Sequence, residues 1–206
     1  MPRVGPRLRI VRRFGAQLPG LTRKDGQKRA FPPGQHGPAT SGRRRKTSEY
    51  RRLLMEKQKV RFNYGVTERQ LRNILAAASR MPGRTGDNVL ILLERRLDNI
   101  VFRLGFAPTI PAARQLVTHG HILVNGKRLD RPSARMSHGD TISVTPKSRE
   151  IPGVVAQVER GPEVRLPGWL ALDIDDKFTG RVLGAPLASD VPFPVHANAL
   201  VEYYAR

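Results

Sequence analysis

Arginine and lysine supply most of the side chains in this sequence that could do chemistry. The densest cluster is Arg43-Arg44-Arg45-Lys46, set directly before a helical pattern. A guanidinium is a planar fork of donors that matches two phosphate oxygens at once, and each cation that meets a polyanion releases condensed counterions. The five histidines are the other candidates, and His119 and His121 stand two positions apart. A tetrahedral metal site needs more ligands than these, and neither a cysteine nor a nearby carboxylate cluster supplies them. The zero count of Cys also removes a thiol nucleophile and a disulfide framework. Asp173, Asp175 and Asp176 gather carboxylates but lack the spacing and closing Glu of a calcium loop, so they read as a solvated loop or a face toward a basic protein. No phosphate-cradling glycine loop and no nucleophile with its base is found. The chemistry on offer is anion recognition, with no catalytic residue, metal or cofactor expected.

The amount and placement of charge narrow the anion. The 206 residues include 37 Lys plus Arg against 17 Asp plus Glu, a formal charge of +20. Residues 1–46 hold 13 basic and 1 acidic residue, 47–86 hold 9 and 3, 87–146 hold 8 and 5, and 147–206 hold 7 and 8. A gradient of this kind fits one face laid against a polyanion, because self-repulsion of that size destabilises a compact state unless a partner neutralises it. Nucleic acid and an anionic membrane surface are the two partner classes. The membrane reading needs a basic helix with a bulky apolar face. Residues 48–64 fit it in part, but their apolar side chains are used more economically in packing on the next helix. The longest apolar run, Val89 to Leu93, is far short of the ~18 residues a membrane span needs. The first residues carry Arg and Pro without an apolar signal core, so a cytoplasmic chain is expected. Aromatic residues make up only 6%, so stacking on splayed bases is not expected to dominate. Phe31, Tyr50, Phe62 and Tyr64 are the stacking candidates, with Tyr50 and Phe62 assigned to core packing. Trp169 is read as an anchor of the C-terminal β region.

The elements that must position these groups follow from periodicity. Residues 1–46 show no sustained period, and Phe31-Pro32-Pro33-Gly34-Gln35-His36-Gly37-Pro38 excludes helix and central strand, so this stretch reads as an extended basic arm. Thr47 and Ser48 are both plausible N-caps of a helix carrying Tyr50, Leu53, Leu54, Lys57 and Val60 on one face and ending at Gly65. Thr67-Glu68-Arg69-Gln70 reads as a capping box opening a second helix with Leu71, Ile74, Leu75 and Ala78 inward. The two are expected to form an antiparallel pair. Asp87 is a candidate cap for a third helical region, and residues 88–104 form either one helix or two abutting ones. Another helix opens at Thr109 or Ile110 with Pro111 in its first turn; Ala113, Leu116 and Val117 face inward and Arg114, Gln115 and His119 outward. The period then drops to two, and Asn125-Gly126 between Val124 and Lys127 is the strongest short hairpin signal. Thr141 to Val144 is a further strand, residues 151–185 read as short β pieces, and Asn198 to Tyr204 as a last helical turn.

Three ordered blocks resemble the bacterial ribosomal protein four family of the small subunit. The first is Phe31-Pro32-Pro33-Gly34-Gln35-His36-Gly37 with Glu56-Lys57-Gln58-Lys59-Val60-Arg61 and Tyr64-Gly65. The second is Arg95-Arg96-Leu97-Asp98-Asn99, Arg103-Leu104-Gly105, Ala113-Arg114-Gln115-Leu116-Val117 and His119-Gly120-His121-Ile122-Leu123-Val124-Asn125-Gly126. The third is Val201-Glu202-Tyr203-Tyr204. Many relatives carry a four-cysteine zinc site upstream of the Pro-Pro-Gly segment; Leu18 to Lys28 holds none, so the chain resembles the zinc-free variants.

The resemblance implies an α+β protein. Its parts are the extended arm over 1–46, a helical domain over 47–94 completed by residues 186–206, and an α/β domain over 95–185. The family's RNA-binding module, with an antiparallel sheet, falls at about 95–160. It implies a structural constituent of the small ribosomal subunit that binds the 5′ domain of its ribosomal RNA and nucleates assembly of the subunit body. It also implies a part in translational accuracy, contact with messenger RNA where it enters, and ribosomal protein five of the small subunit as a partner. No membrane or small-molecule substrate is expected. The expected RNA contacts in the arm are Arg3, Arg9, Arg12, Arg13, Lys28, Arg29, Gln35 and His36, with Arg43, Arg44, Arg45 and Lys46 facing either ribosomal or messenger RNA. In the helices they are Arg51, Arg52, Lys57, Lys59, Arg61, Arg69 and Arg72. In the module they are Arg96, Arg114, Gln115, His119, His121, Asn125, Lys127 and Arg131. The competing reading is an RNA-modifying or tRNA-linked enzyme that carries the same module as an appendage.

Overall fold

The computed structural model describes residues 5–26, 29, 31–35, 37 and 48–205. Among them the chain divides into two compact units, one built from residues 1–89 and 193–206, the other from 90–192.

In the first unit, α1 (Arg7–Phe14) corrects the expectation that the basic stretch is extended throughout. Val11 is buried, with Ile10 and Phe14 half-buried beside it, so a short apolar face runs through a segment whose arginines at 7, 9, 12 and 13 hide the period. Gly15, at φ 61°, ends the helix with its amide on the Val11 carbonyl. Leu18 and Leu21 are fully buried, and Asn63 Oδ1 accepts the Gly20 amide at 3.0 Å. Helix α2 (Glu49–Asn63) is capped by Ser48, whose hydroxyl accepts the Arg51 amide; Thr47 lies outside the described residues. Gly65 adopts φ 59°, and the Val66 amide closes the end on the Arg61 carbonyl. The capping box at Thr67 and Gln70 opens α3 (Glu68–Ala78) as the sequence predicts. Asn88 then spends its side-chain amide on the carbonyls of Ala78, Met81 and Pro82, which fixes the start of α4 (Thr85–Glu94).

The expected pairing of the first two capped helices is replaced. The helix packed along α2 is the C-terminal α8 (Ala197–Ala205), a full nine-residue helix rather than a single turn. Glu56 Oε2 accepts the His196 amide, and Tyr204 donates to Glu68 at 2.7 Å. Tyr50, expected in the core, is 55% exposed and touches Tyr203.

In the second unit the helical region breaks in two. Arg96 is extended, and the segment 132–136 pairs with the break through Leu97 N to Ala134 O and Met136 N to Arg95 O. Helix α5 (Leu97–Arg103) packs against α6 (Ile110–Thr118), which Thr109 caps and Pro111 opens. An antiparallel sheet follows in the order β2-β1-β3-β5-β4, with β1 (Ile122–Val124), β2 (Lys127–Arg128), β3 (Thr141–Val144), β4 (Leu170–Leu172) and β5 (Thr179–Val182). Val124 faces Lys127 across the Asn125-Gly126 turn, and Ile122 faces Val144. Gly180 of β5 sits under Leu104, where a Cβ would lie 2.6 Å from its methyl. Residues 152–160, read as β from sequence, are helix α7 (Pro152–Arg160). Its proline stands in the first turn, where the missing amide costs no hydrogen bond, and it buries Val154 and Gln157. Trp169 is buried beside β4 as expected.

The turn is a direct test of this architecture. Gly126 adopts φ 77°. Gly126→Val places a β-branched residue in the left-handed region and is expected to cost about 1–2 kcal/mol. Gly184, where a side chain meets open space at ordinary φ, serves as the control. Urea unfolding of both variants checks the difference; equal stability would remove the strained turn.

Candidate nucleic-acid interface

Building the surface begins with subtracting the cations that the fold consumes. Asp98, fully buried on α5, accepts from Arg96 at 3.0 and 2.7 Å and from Arg114 at 3.0 and 2.7 Å. Glu94, also fully buried, accepts from Arg103 at 3.1 and 2.8 Å and from the Asn99 amide at 2.9 Å. A buried carboxylate is tolerable only when its lone pairs are filled, and bidentate guanidiniums fill them. Arg96 and Arg114 therefore hold α5, α6 and the intervening break together. Arg114 does not point outward as the sequence suggests; its side chain is 12% exposed. The helical spacing was read correctly, but spacing carries no sign that a carboxylate waits 16 positions back on the preceding helix.

Other expected contacts are also committed inside. Lys57 is buried, bonded to Glu68 at 3.0 Å with its ammonium 4.6 Å from the Tyr203 ring centroid. Lys59 pairs with Glu56 at 2.6 Å. Arg12 donates to the Phe31 carbonyl at 3.0 Å. Asn125 is exposed but ties the hairpin turn to the start of β3, donating to Asp140 and accepting from the Thr141 amide, both at 2.9 Å. His121 is half-buried with Nδ1 2.8 Å from the Ser148 hydroxyl. The acidic group after β4 is bound by its own unit: Asp176 takes both arms of Arg149, and Asp173 lies 3.4 Å from Arg181. Burial raises the Asp176 carboxyl, but the Thr179 hydroxyl, the Phe178 amide and Arg149 outweigh it and hold the group below the ordinary carboxylate range.

What remains is a set of exposed cations with no carboxylate partner among the described residues. In the first unit these include the expected Arg9, Arg13, Arg29, Arg51, Arg52 and Arg69. Gln35 is exposed as well, Arg72 reaches Glu68 only at 4.0 Å, and Arg61 is half-buried against Gln58 and Phe62. In the second unit, Gln115 and His119 on α6, Lys127 on the hairpin and Arg131 after it are exposed. His119 and His121 rings lie 6.0 Å apart. Among the described residues no group of three His, Cys, Asp or Glu side chains could hold a metal ion. Arg3, Lys28, His36, Arg43, Arg44, Arg45 and Lys46 lie outside the described residues.

Sequence reasoning missed several exposed cations of the same kind: Arg7 on α1, Arg80 and Arg84 flanking the Pro82-Gly83 turn, Arg128 on the hairpin and Arg135 in the loop after it. Arg128 had a readable signal. It follows Lys127 on a two-residue strand, and its side chain lies over Gly120, where a Cβ would sit 2.9 Å from its Cδ.

Comparison with known proteins gives these surfaces a context. Residues 3–94 match the family model of the ribosomal protein S4/S9 N-terminal domain, and residues 95–142 match the S4 domain. The chain is 52% identical over 202 residues to small ribosomal subunit protein uS4B of Nitrosomonas europaea, covering 98% of this chain and 97% of that one. It is 53% identical to small ribosomal subunit protein uS4 of Thermosynechococcus vestitus, over 98% and 96% of the two chains. The protein of that name from Methylobacillus flagellatus is 49% identical over 98% and 97%. Among the described residues no helix is long and apolar enough to cross a membrane.

The contacts of the first unit set a pH dependence. Burial raises the Glu68 carboxyl, but the hydrogen bonds from Tyr204 and Lys57 and the charges of Lys57 and Arg61 outweigh it, so its pKa lies below the ordinary value of 4.5. Burial and the bond to Glu68 push the Tyr204 phenol above its ordinary range. A depressed carboxylate contributes stability that is complete above its unfolded pKa and is lost as pH falls through its folded one. Thermal unfolding from pH 6 downward is therefore expected to show a decline below about 4.5. Glu68→Gln is expected to flatten that part of the decline; an unchanged acid limb would show that the cluster contributes nothing.

Proposed function

The chain belongs to the small ribosomal subunit protein uS4 family, and from that premise we propose that it binds the 5′ domain of small-subunit ribosomal RNA early and nucleates assembly of the subunit body. As a member of this family it is a structural component of the small ribosomal subunit, acting in translation. The observation that carries the proposal is the exposed set of guanidiniums and ammoniums in each unit that have no carboxylate partner among the described residues, left over after the buried carboxylates have taken theirs. Such a surface reads the shape of a folded RNA and the positions of its phosphates rather than base sequence.

The chain is non-enzymatic in this reading. An appended module would leave a separate catalytic domain elsewhere, yet the strands after residue 142 complete the same five-stranded sheet. The cytoplasmic ribosome is its place of action. The finer roles rest on the family: a contribution to translational accuracy, contact of Arg43, Arg44, Arg45 and Lys46 with messenger RNA where it enters, and ribosomal protein five of the small subunit as a neighbour. The basic run itself fits either RNA.

Chemical footprinting on a transcript of the 5′ domain tests the proposal. Protection is expected at one compact junction, with log affinity falling linearly in log salt concentration. The triple variant of Arg43, Arg44 and Arg45 to Ala is expected to lower that slope by about 2–3 units if all three meet phosphates. Uniform protection along the transcript would contradict site-specific binding, and an unchanged slope would take the run off that RNA.

A further inference from the structure

The last turn of α1 and the outer face of α2 enclose a cleft of about 160 Å³. Its walls include Phe14 and Phe62, with Leu54 and Met55 below and Arg13 and Arg51 at the rim. Both rings are half-buried, their centroids 6.0 Å apart and their planes tilted by 47°. Phe62 was expected to be a core residue; it presents part of its ring instead. The Arg61 guanidinium lies 5.5 Å from the Phe62 centroid and donates to the neutral Gln58 at 3.2 Å. Among the described residues no carboxylate lines the cleft, and Arg13 and Arg51 are exposed without a partner.

We infer that this cleft takes one unpaired nucleobase of the bound RNA. The inference rests on the RNA-binding reading of the previous subsection and deepens it. Three features choose the occupant. The size suits a single planar heterocycle, since a cavity of about 150 Å³ takes benzene, and it is too small for a base pair. The walls are aromatic rings and a guanidinium plane, the surfaces on which splayed RNA bases stack. Among the described residues the charged groups of the rim are all cationic, which complements the phosphates on either side of an extruded nucleotide and disfavours a basic peptide. Across the ridge made by Arg13 and Phe14, a second cleft of about 560 Å³ is lined by Arg12, Arg29 and Phe31. It continues the cationic track, and the buried Arg12 Nε–H there has no acceptor among the described residues. The low aromatic content therefore does not exclude stacking at this cleft.

The test uses the full-length protein and two RNA probes, a continuous hairpin duplex and the same hairpin with a single-nucleotide bulge. Phe62→Leu removes the stacking surface without removing charge. Gln58→Trp fills the cleft while leaving both phenylalanines in place, so it reports even if Phe62→Leu loosens the fold. Both variants are expected to weaken binding to the bulged probe by roughly 5- to 150-fold, the range for one stacked base, with the salt slope and duplex binding unchanged. Ultraviolet cross-linking of the wild-type complex is expected to attach a nucleotide to Phe14 or Phe62. Wild-type protein that binds both probes equally, or variants that match wild type on the bulged probe, would overturn the nucleobase and point to a protein occupant. Wild-type protein that binds neither probe nor the 5′-domain transcript would overturn the RNA reading itself.

Discussion

Two buried carboxylates decide what this strongly basic chain can do with its charge. Asp98 and Glu94, with no exposed surface, draw Arg96, Arg103 and Arg114 inward. Removing either acid would strand guanidiniums in a low-dielectric interior, a loss typically of several kcal/mol. The bonds also explain the chain path. Arg96 departs from helical geometry between α4 and α5, and its side chain reaches two residues forward to Asp98 while Arg114 arrives from α6. The sheet is built on that base, with Leu104 at the end of α5 set against Gly180. The formal charge of +20 is thus not a uniform property of the surface. One fraction is fold, and the other is available to a ligand.

The same division recurs in the first unit on a smaller scale. Lys57 is held between Glu68 and Tyr203, and Tyr204 completes the Glu68 contacts. These groups fasten the C-terminal helix to α2, so the end of the chain is held by a polar cluster rather than by an apolar stripe alone. Most of the cations left outside, on α1, α2 and α3, have no carboxylate partner among the described residues. A protein that must fold and then bind RNA gains from this arrangement, because neutralisation by phosphate touches side chains whose movement does not disturb the core.

Local signals were legible wherever a residue type has one conformational use. Ser48, the Thr67 and Gln70 box, Thr109 with Pro111, and Asn125-Gly126 each appear in the structure as their chemistry dictates. The change of period located the hairpin, while the α+β class and the antiparallel sheet were what the family resemblance implied. Helix α1 was hidden because its polar face is so densely basic that a single buried Val11 marks the other. Helix α7 was hidden by flanking Pro and Gly, which punctuate a helix as readily as a loop. The partner of α2 was out of reach because Glu56 and His196, which join α2 to the start of α8, are 140 positions apart. The interface was half legible for the same reason. Exposed positions such as Arg51, Arg69 and Lys127 follow from local periodicity, whereas burial of Arg96 and Lys57 is decided by distant carboxylates that no spacing rule names.

The central claim is that equal charges in this chain do unequal work. The most direct measurement compares Arg96→Ala with Lys127→Ala, each of which removes one positive charge. Thermal unfolding and the salt dependence of binding to the 5′-domain transcript are measured for both. Arg96→Ala is predicted to lower the unfolding midpoint and leave the slope unchanged, and Lys127→Ala to lower the slope by about one phosphate contact and leave the midpoint unchanged. A lowered slope with an unaltered midpoint for Arg96→Ala would contradict the division between structural and RNA-facing cations.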